Sequence, residues 1–161
     1  MREGGAENRN LEEREIQVVG VFEERSSDAP LSNPFVLVRD NRGRAVLIWI
    51  GRFEALAISM ALEGASADRP LTHDLLKNMA ERLGAQIDRV VVDDLWQDTF
   101  YAKIWMTVNG KTISVDSRPS DAIALALRVK CPVYMTEAVL EEASRPVEEI
   151  TGGSAEEEEG E

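Results

Sequence analysis

The stretch ISVDSRPSDAIALALRVKCP, residues 113–132, passes from alternating apolar residues through a polar turn into an almost wholly apolar helix. Asp116, Arg118, Ser120 and Asp121 crowd the junction. Helix capping accounts for part of this, because Ser117 or Asp116 can accept from unpaired first-turn amides and Pro119 suits a first turn. GRFEA, residues 51–55, offers a second helix start, with Arg52 and Glu54. Helix starts present unpaired N–H groups and partial positive charge, so two of them with nearby arginines could hold a phosphate or carboxylate. Glu54, Asp116 and Asp121 would repel that anion unless a divalent cation lay between, and carboxylate oxygens suit Mg²⁺ or Mn²⁺. His73, the only histidine, lies in RPLTHDLL beside Thr72, the expected N-cap. An imidazole there could move protons near neutral pH or simply pack.

These residues need elements to position them. Apolar alternation predicts strands over Ile16–Phe22 and Phe35–Val38, then AVLIWI (45–50) after the turn DNRG. A helix follows over Gly51–Gly64, with Phe53, Leu56, Ala57, Met60 and Ala61 as its apolar stripe. A linking helix begins near Thr72, with Leu75, Leu76, Met79 and Leu83 on its apolar face and Gly84 as its stop. QIDRVVVDDL, TFYAKIWMTV and TISVD read as three more strands, the last two joined at Asn109-Gly110 by a type I′ turn. Arg118–Val129 is then a helix, PVYM a strand and TEAVLEEA a closing helix. At a constant offset of 65, Ile48, Ala57, Ile58, Ala61 and Leu62 meet Ile113, Ala122, Ile123, Ala126 and Leu127. The expectation is an α+β fold built on a duplicated β-β-β-α unit, with a linking helix and a C-terminal strand-helix addition. Alanines at 55, 57, 61, 122, 124 and 126 would let the paired helices approach closely, bringing their polar starts into one cleft.

The net charge of −12 is unevenly spread. Seven acids and no base occupy the last fourteen residues, the first fifteen hold five acids and three bases, and the stretch between carries 18 acids and 15 bases. Residues 1–15 and 144–161 are therefore expected to be disordered ends of one domain spanning 16–143. No basic binding track is visible, which leaves a nucleic-acid partner neither supported nor excluded. The longest apolar run, Ala45–Ile50, is far too short to cross a bilayer, so no membrane partner is expected and the location is read as cytoplasmic. Cys131 has no second cysteine to pair with and reads as a small hydrophobe.

IGRFEALAISMALEG, RPLTHDLLKNMAERLGA and VDSRPSDAIALALRVKCPVYMTEAVLEEA, with FYAKIWM between them, resemble the bifunctional nuclease domain family in order and spacing over about residues 16–143. The resemblance implies an α+β fold and hydrolysis of both DNA and RNA. The family's polar positions fall on Glu54, His73, Asp74, Asp116, Arg118, Ser120 and Asp121. The resemblance does not assign their roles; by the chemistry of the side chains, Glu54, Asp116 and Asp121 are candidate metal ligands and, with His73 as general acid or base, candidate catalytic groups, while Arg118, Ser120 and Arg52 would bind substrate. Trp49, Trp96 and Trp105 could stack on bases, but core or interface packing is the commoner use of such strand positions. The competing expectation is a non-catalytic module binding a protein or anionic ligand in the same cleft. Strand edges and tryptophans also suggest a homo-oligomer.

Overall fold

The computed structural model describes residues 9–24 and 33–150. Its elements in chain order are β1 (Glu13–Glu24), β2 (Asn33–Arg39), β3 (Arg44–Trp49), α1 (Arg52–Glu63), α2 (Thr72–Arg82), β4 (Ala85–Trp96), β5 (Thr99–Val108), β6 (Lys111–Ser117), α3 (Pro119–Val129), β7 (Val133–Thr136), α4 (Glu137–Ala143) and β8 (Arg145–Pro146). The fold is α+β. The strands form one mixed sheet in the order β6-β5-β4-β7-β1-β2-β3-β8. Two antiparallel meanders, β1-β2-β3 and β4-β5-β6, flank β7, which runs parallel to β4 and antiparallel to β1. Descent of these meanders from one duplicated unit remains a proposal; the mirrored order is the observation.

Turn chemistry sets the hairpins. Asn109 and Gly110 both have positive φ, 51° and 76°, as a type I′ turn requires. In DNRG the Asp40 carboxylate accepts from the N–H groups of Arg42 and Arg44, both at 2.9 Å, and Gly43 supplies φ 80°.

The core lies where α1, α3 and α4 meet one face of the sheet, around Val36, Val38, Val90, Val92, Ile58 and Ile123. Here the helix stripes depart from expectation. On α1 the buried residues are Ala55, Ala57 and Ile58, whereas Phe53 is 87% exposed and Leu56 58%. The alanine face wins because α1 packs closely on α3, close enough for Arg128 Nη2 to reach the Ala57 carbonyl at 3.1 Å. On α2 the only buried residue is His73, and the expected core stripe of Leu75, Leu76, Met79 and Leu83 is exposed. Among the described residues no helix is long and apolar enough to cross a membrane.

The expected domain boundaries also need correction. Residues 9–15 are ordered: the carbonyls of Asn10 and Glu12 accept from Ala138 and Glu137 at the start of α4, at 2.9 and 2.8 Å, and Glu13–Ile16 pairs with β7. The orphan amides of a helix start supply what the acidic composition concealed. Residues after 144 begin equally ordered, because Arg145 and Pro146 pair with Ala45 and Arg44 on β3 and Val147 N–H donates to Gly43 at 2.9 Å. Residues 1–8 and 151–161, also expected to be disordered, lie outside the described residues.

Candidate functional site

Three helix starts converge on one cluster. Glu54 sits in the first turn of α1, His73 in the first turn of α2, and Arg118 and Asp121 at the cap and first turn of α3. The close packing of α1 on α3 brings Arg118 Nη2 to Glu54 Oε1 at 3.0 Å. Arg118 also grips Asp121 through Nε at 3.0 Å and Nη2 at 2.9 Å. On the far side of Asp121, Oδ1 lies 2.9 Å from His73 Nε2. An ionised carboxylate only accepts, so Nε2 carries the proton in this contact. The result is one chain of contacts, Glu54–Arg118–Asp121–His73. Both carboxylates raise the Arg118 pKa, the hydrogen bond that Arg118 donates to Asp121 most of all, so the guanidinium stays charged.

Exposure separates the members. His73 is 6% exposed and lies beneath the cluster, whereas the Arg118 side chain is 67% exposed and forms its outer face. Gly51, at the cap of α1, leaves room for Glu54, since an added Cβ would overlap the Glu54 carboxylate. A hollow of about 300 Å³ opens over the cluster, walled by Phe53, Leu56, Met60 and Leu71. A second, of about 310 Å³, lies on the other side of Arg118 and includes Trp49, Gly51, Asp98 and Ser120. Arg118 therefore borders both.

Sequence reasoning overlooked the residue that docks α2. Arg128, whose side chain is 9% exposed, donates from Nε to Asp74 Oδ1 at 3.0 Å, from Nη1 to Ala124 O at 2.8 Å and from Nη2 to Ala57 O at 3.1 Å. It ties α1, α2 and α3 together and so sets where His73 meets Asp121. The signal was a lone arginine closing the apolar run AIALALRV. Asp74 also accepts from the Leu71 N–H at 2.9 Å, which lowers its pKa and makes Leu71, rather than Thr72, the cap position of α2.

Not every expected site residue joins the cluster. Asp116 stands opposite Lys103 on β5, whose neighbours Ala102 and Ile104 pack into the core, so strand alternation turns Asp116 to the opposite face of the sheet. It lines a different hollow there, with Asp93, Lys103 and Trp105. Ser120 is buried at 6% exposure beside the Trp49 hollow, and Arg52 is exposed on α1 outside the chain of contacts. Trp49 packs edge-on against Phe35 at 5.2 Å, and Arg89 lies over Trp105 at 4.8 Å. The proposed metal set of Glu54, Asp116 and Asp121 does not fit a shared cation. Asp116 is on the wrong face, and Glu54 and Asp121 both turn to the same guanidinium. Among the described residues no three His, Cys, Asp or Glu side chains are grouped to hold a metal ion. Cys131 is half-buried and packed against the core, and loss of solvation pushes its thiol up to about 11, which keeps it an inert thiol at neutral pH.

A family model for the bifunctional nuclease domain matches residues 36–148, a span that contains the whole cluster. The chain belongs to the bifunctional nuclease domain family. An uncharacterized protein of Mycobacterium tuberculosis is 42% identical over 130 residues, covering 80% of this chain and 75% of that protein. Bifunctional nuclease 1 of Oryza sativa subsp. japonica is 30% identical over 88 residues, covering 53% of this chain and 27% of the plant protein. Bifunctional nuclease 2 of Arabidopsis thaliana is 26% identical over 110 residues, 66% of this chain and 33% of that protein. These matches to the plant nucleases thus span a third or less of the plant proteins' length.

Proposed function

We propose that this bifunctional nuclease domain hydrolyses phosphodiester bonds in DNA and RNA at the Glu54–Arg118–Asp121–His73 cluster. The observation carrying the reading is that chain of contacts, which joins polar groups from three helix starts beneath an open hollow within the family span. Arg118 is the clamp: a phosphate oxygen takes the place of a carboxylate on its exposed guanidinium. The displaced Glu54 accepts a proton from the attacking water as the new P–O bond forms. The ester P–O bond then breaks as the leaving oxygen takes a proton from doubly protonated His73, which is left as a neutral imidazole beside Asp121. No step is assigned to a metal, because the carboxylates do not converge on one.

The test is cleavage of a labelled oligonucleotide by salt-washed protein, beside Asp121→Asn purified identically, each with Mg²⁺, with Mn²⁺ and with chelator. Asp121→Asn should lose at least about 100-fold in rate. Equal cleavage by both proteins identifies a contaminant and removes the cluster from the reaction. A second reading, a non-catalytic module, is favoured by the apolar walls of the hollow and by two carboxylates already neutralising Arg118. It takes over if the parent binds a ligand in the hollow but cleaves nothing.

A further inference from the structure

The outer face of α2 carries an unbroken row at i, i+4 spacing: Leu71 at its cap, then Leu75, Met79 and Leu83, exposed by 38, 52, 54 and 78%. Phe53 and Leu56 of α1, exposed by 87 and 58%, stand beside its N-terminal end around the hollow. Together these six side chains present on the order of 700 Å² of apolar surface, more than the roughly 300–600 Å² that the largest patch on a monomer usually reaches. That approaches the ~800 Å² each partner buries in a standard protein interface.

We infer that this face is a two-fold interface between two copies of the chain, with α2 packed antiparallel on α2 and the axis passing close to Met79. A row spaced by four is one of the ridges that interdigitates with its own counterpart on a second helix, so the surface is complementary to itself. About Met79 the last three residues of the row are symmetric: Leu75 of one copy meets Leu83 of the other, and Leu71 lies beyond the paired stretch, at the hollow. Around the axis of α2, the charged residue closest to this row is Arg82. The axis sends the two copies of Arg82 to opposite ends of the interface, where they do not repel. Leu83 of the second copy comes to lie toward Leu71 and Phe53, so each copy adds a wall to the hollow of the other. The isologous arrangement closes on itself and leaves no patch for further growth.

Sedimentation equilibrium of the full chain tests this directly. The parent should be a dimer at tens of micromolar, and Met79→Glu should raise its dissociation constant at least 100-fold. Met79 is already half exposed, so circular dichroism and melting temperature should match the parent. Met79→Lys should likewise be monomeric, and an equimolar mixture of Met79→Glu and Met79→Lys should dimerise again, because the axis places the two side chains together. A parent that stays monomeric to ~1 mM, a dimer that survives Met79→Glu, or a mixture that fails to reassociate would each overturn the inference. None of these readouts depends on cleavage, so the interface and the nuclease reading can fail separately.

Discussion

Arg118→Lys separates a phosphate clamp from a structural ion pair. The substitution keeps the positive charge but replaces a planar fork with a single ammonium. In the native arrangement Arg118 spans Asp121 and Glu54 through three contacts of 2.9–3.0 Å, and lysine can hold only one carboxylate well. Its side chain is 67% exposed, so solvent screens these pairs and their loss should destabilise the fold by less than about 1 kcal/mol. For a domain of this size that is a melting shift below roughly 4 °C. As a clamp on the transferring phosphoryl group, the lost fork should instead cost about 2.7–4 kcal/mol of transition-state stabilisation, or roughly 100- to 1000-fold in rate. Single-turnover cleavage of labelled DNA and RNA, run beside thermal melts of parent and variant, measures both. A rate within threefold of the parent would refute the clamp. A melting point lowered by more than about 8 °C would instead show that Arg118 holds the helices together, and the rate would carry no information on its chemistry.

Two further expectations concern the fold. Glu137, 7% exposed, binds Arg44 at 2.6 and 3.0 Å and Arg14 at 3.1 Å; chiefly the Arg44 bonds hold its carboxyl at about 2, well below the ordinary 4.5. Glu137→Gln should cost roughly 2–3 kcal/mol at neutral pH, since the amide keeps one acceptor and Asp40 still pairs with Arg44. Because the folded-state pKa is depressed, the contribution is complete above the unfolded value of 4.5 and fades as pH falls toward about 2. The stability gap between parent and variant should therefore narrow across that window in acid-titrated urea melts, and a constant gap would contradict the assignment. Truncation after Ser144 should cost about 1–2 kcal/mol, because it removes the β3–β8 pairing and the Val147–Gly43 bond. An unchanged urea midpoint would show that this edge contributes nothing.

The strands were legible because alternation reports directly on which side chains face a core, and the Asn109-Gly110 turn because few residues tolerate its backbone. Glu54, Arg118 and Asp121 were legible as helix-start residues with unusual neighbours. What could not be read was the rotation of α1 and α2. Apolar periodicity identifies an apolar stripe, but Phe53 and Leu75 satisfy it as well as Ala57 and Ile58 do, and only the close approach of α3 decides between them. Asp116 stands apart from Asp121 because nearness in sequence is not nearness in space. Strand alternation turns Asp116 to the face away from the core, whereas Asp121 rides on α3 after the strand has ended. The acids of the ends misled for a related reason. Composition averages over a segment, whereas Glu12 and Asn10 hold α4 through their backbone carbonyls, whatever their charge.

β7 is four residues long, yet among the described residues it is the only strand touching both meanders. Until it arrives, β1 and β4 each present an unpaired edge flanked by core residues such as Ile16, Val90 and Val92. On a ribosome adding about 5–20 residues per second, some 2–8 s separate the emergence of β4 from that of β7. During that interval the nascent chain holds two half-sheets whose open borders can pair with each other, or with a neighbouring nascent chain, in a register the finished protein never uses. The closing of the sheet thus waits on a late segment of the chain, and any delay before β7 emerges lengthens the time that both borders stay open.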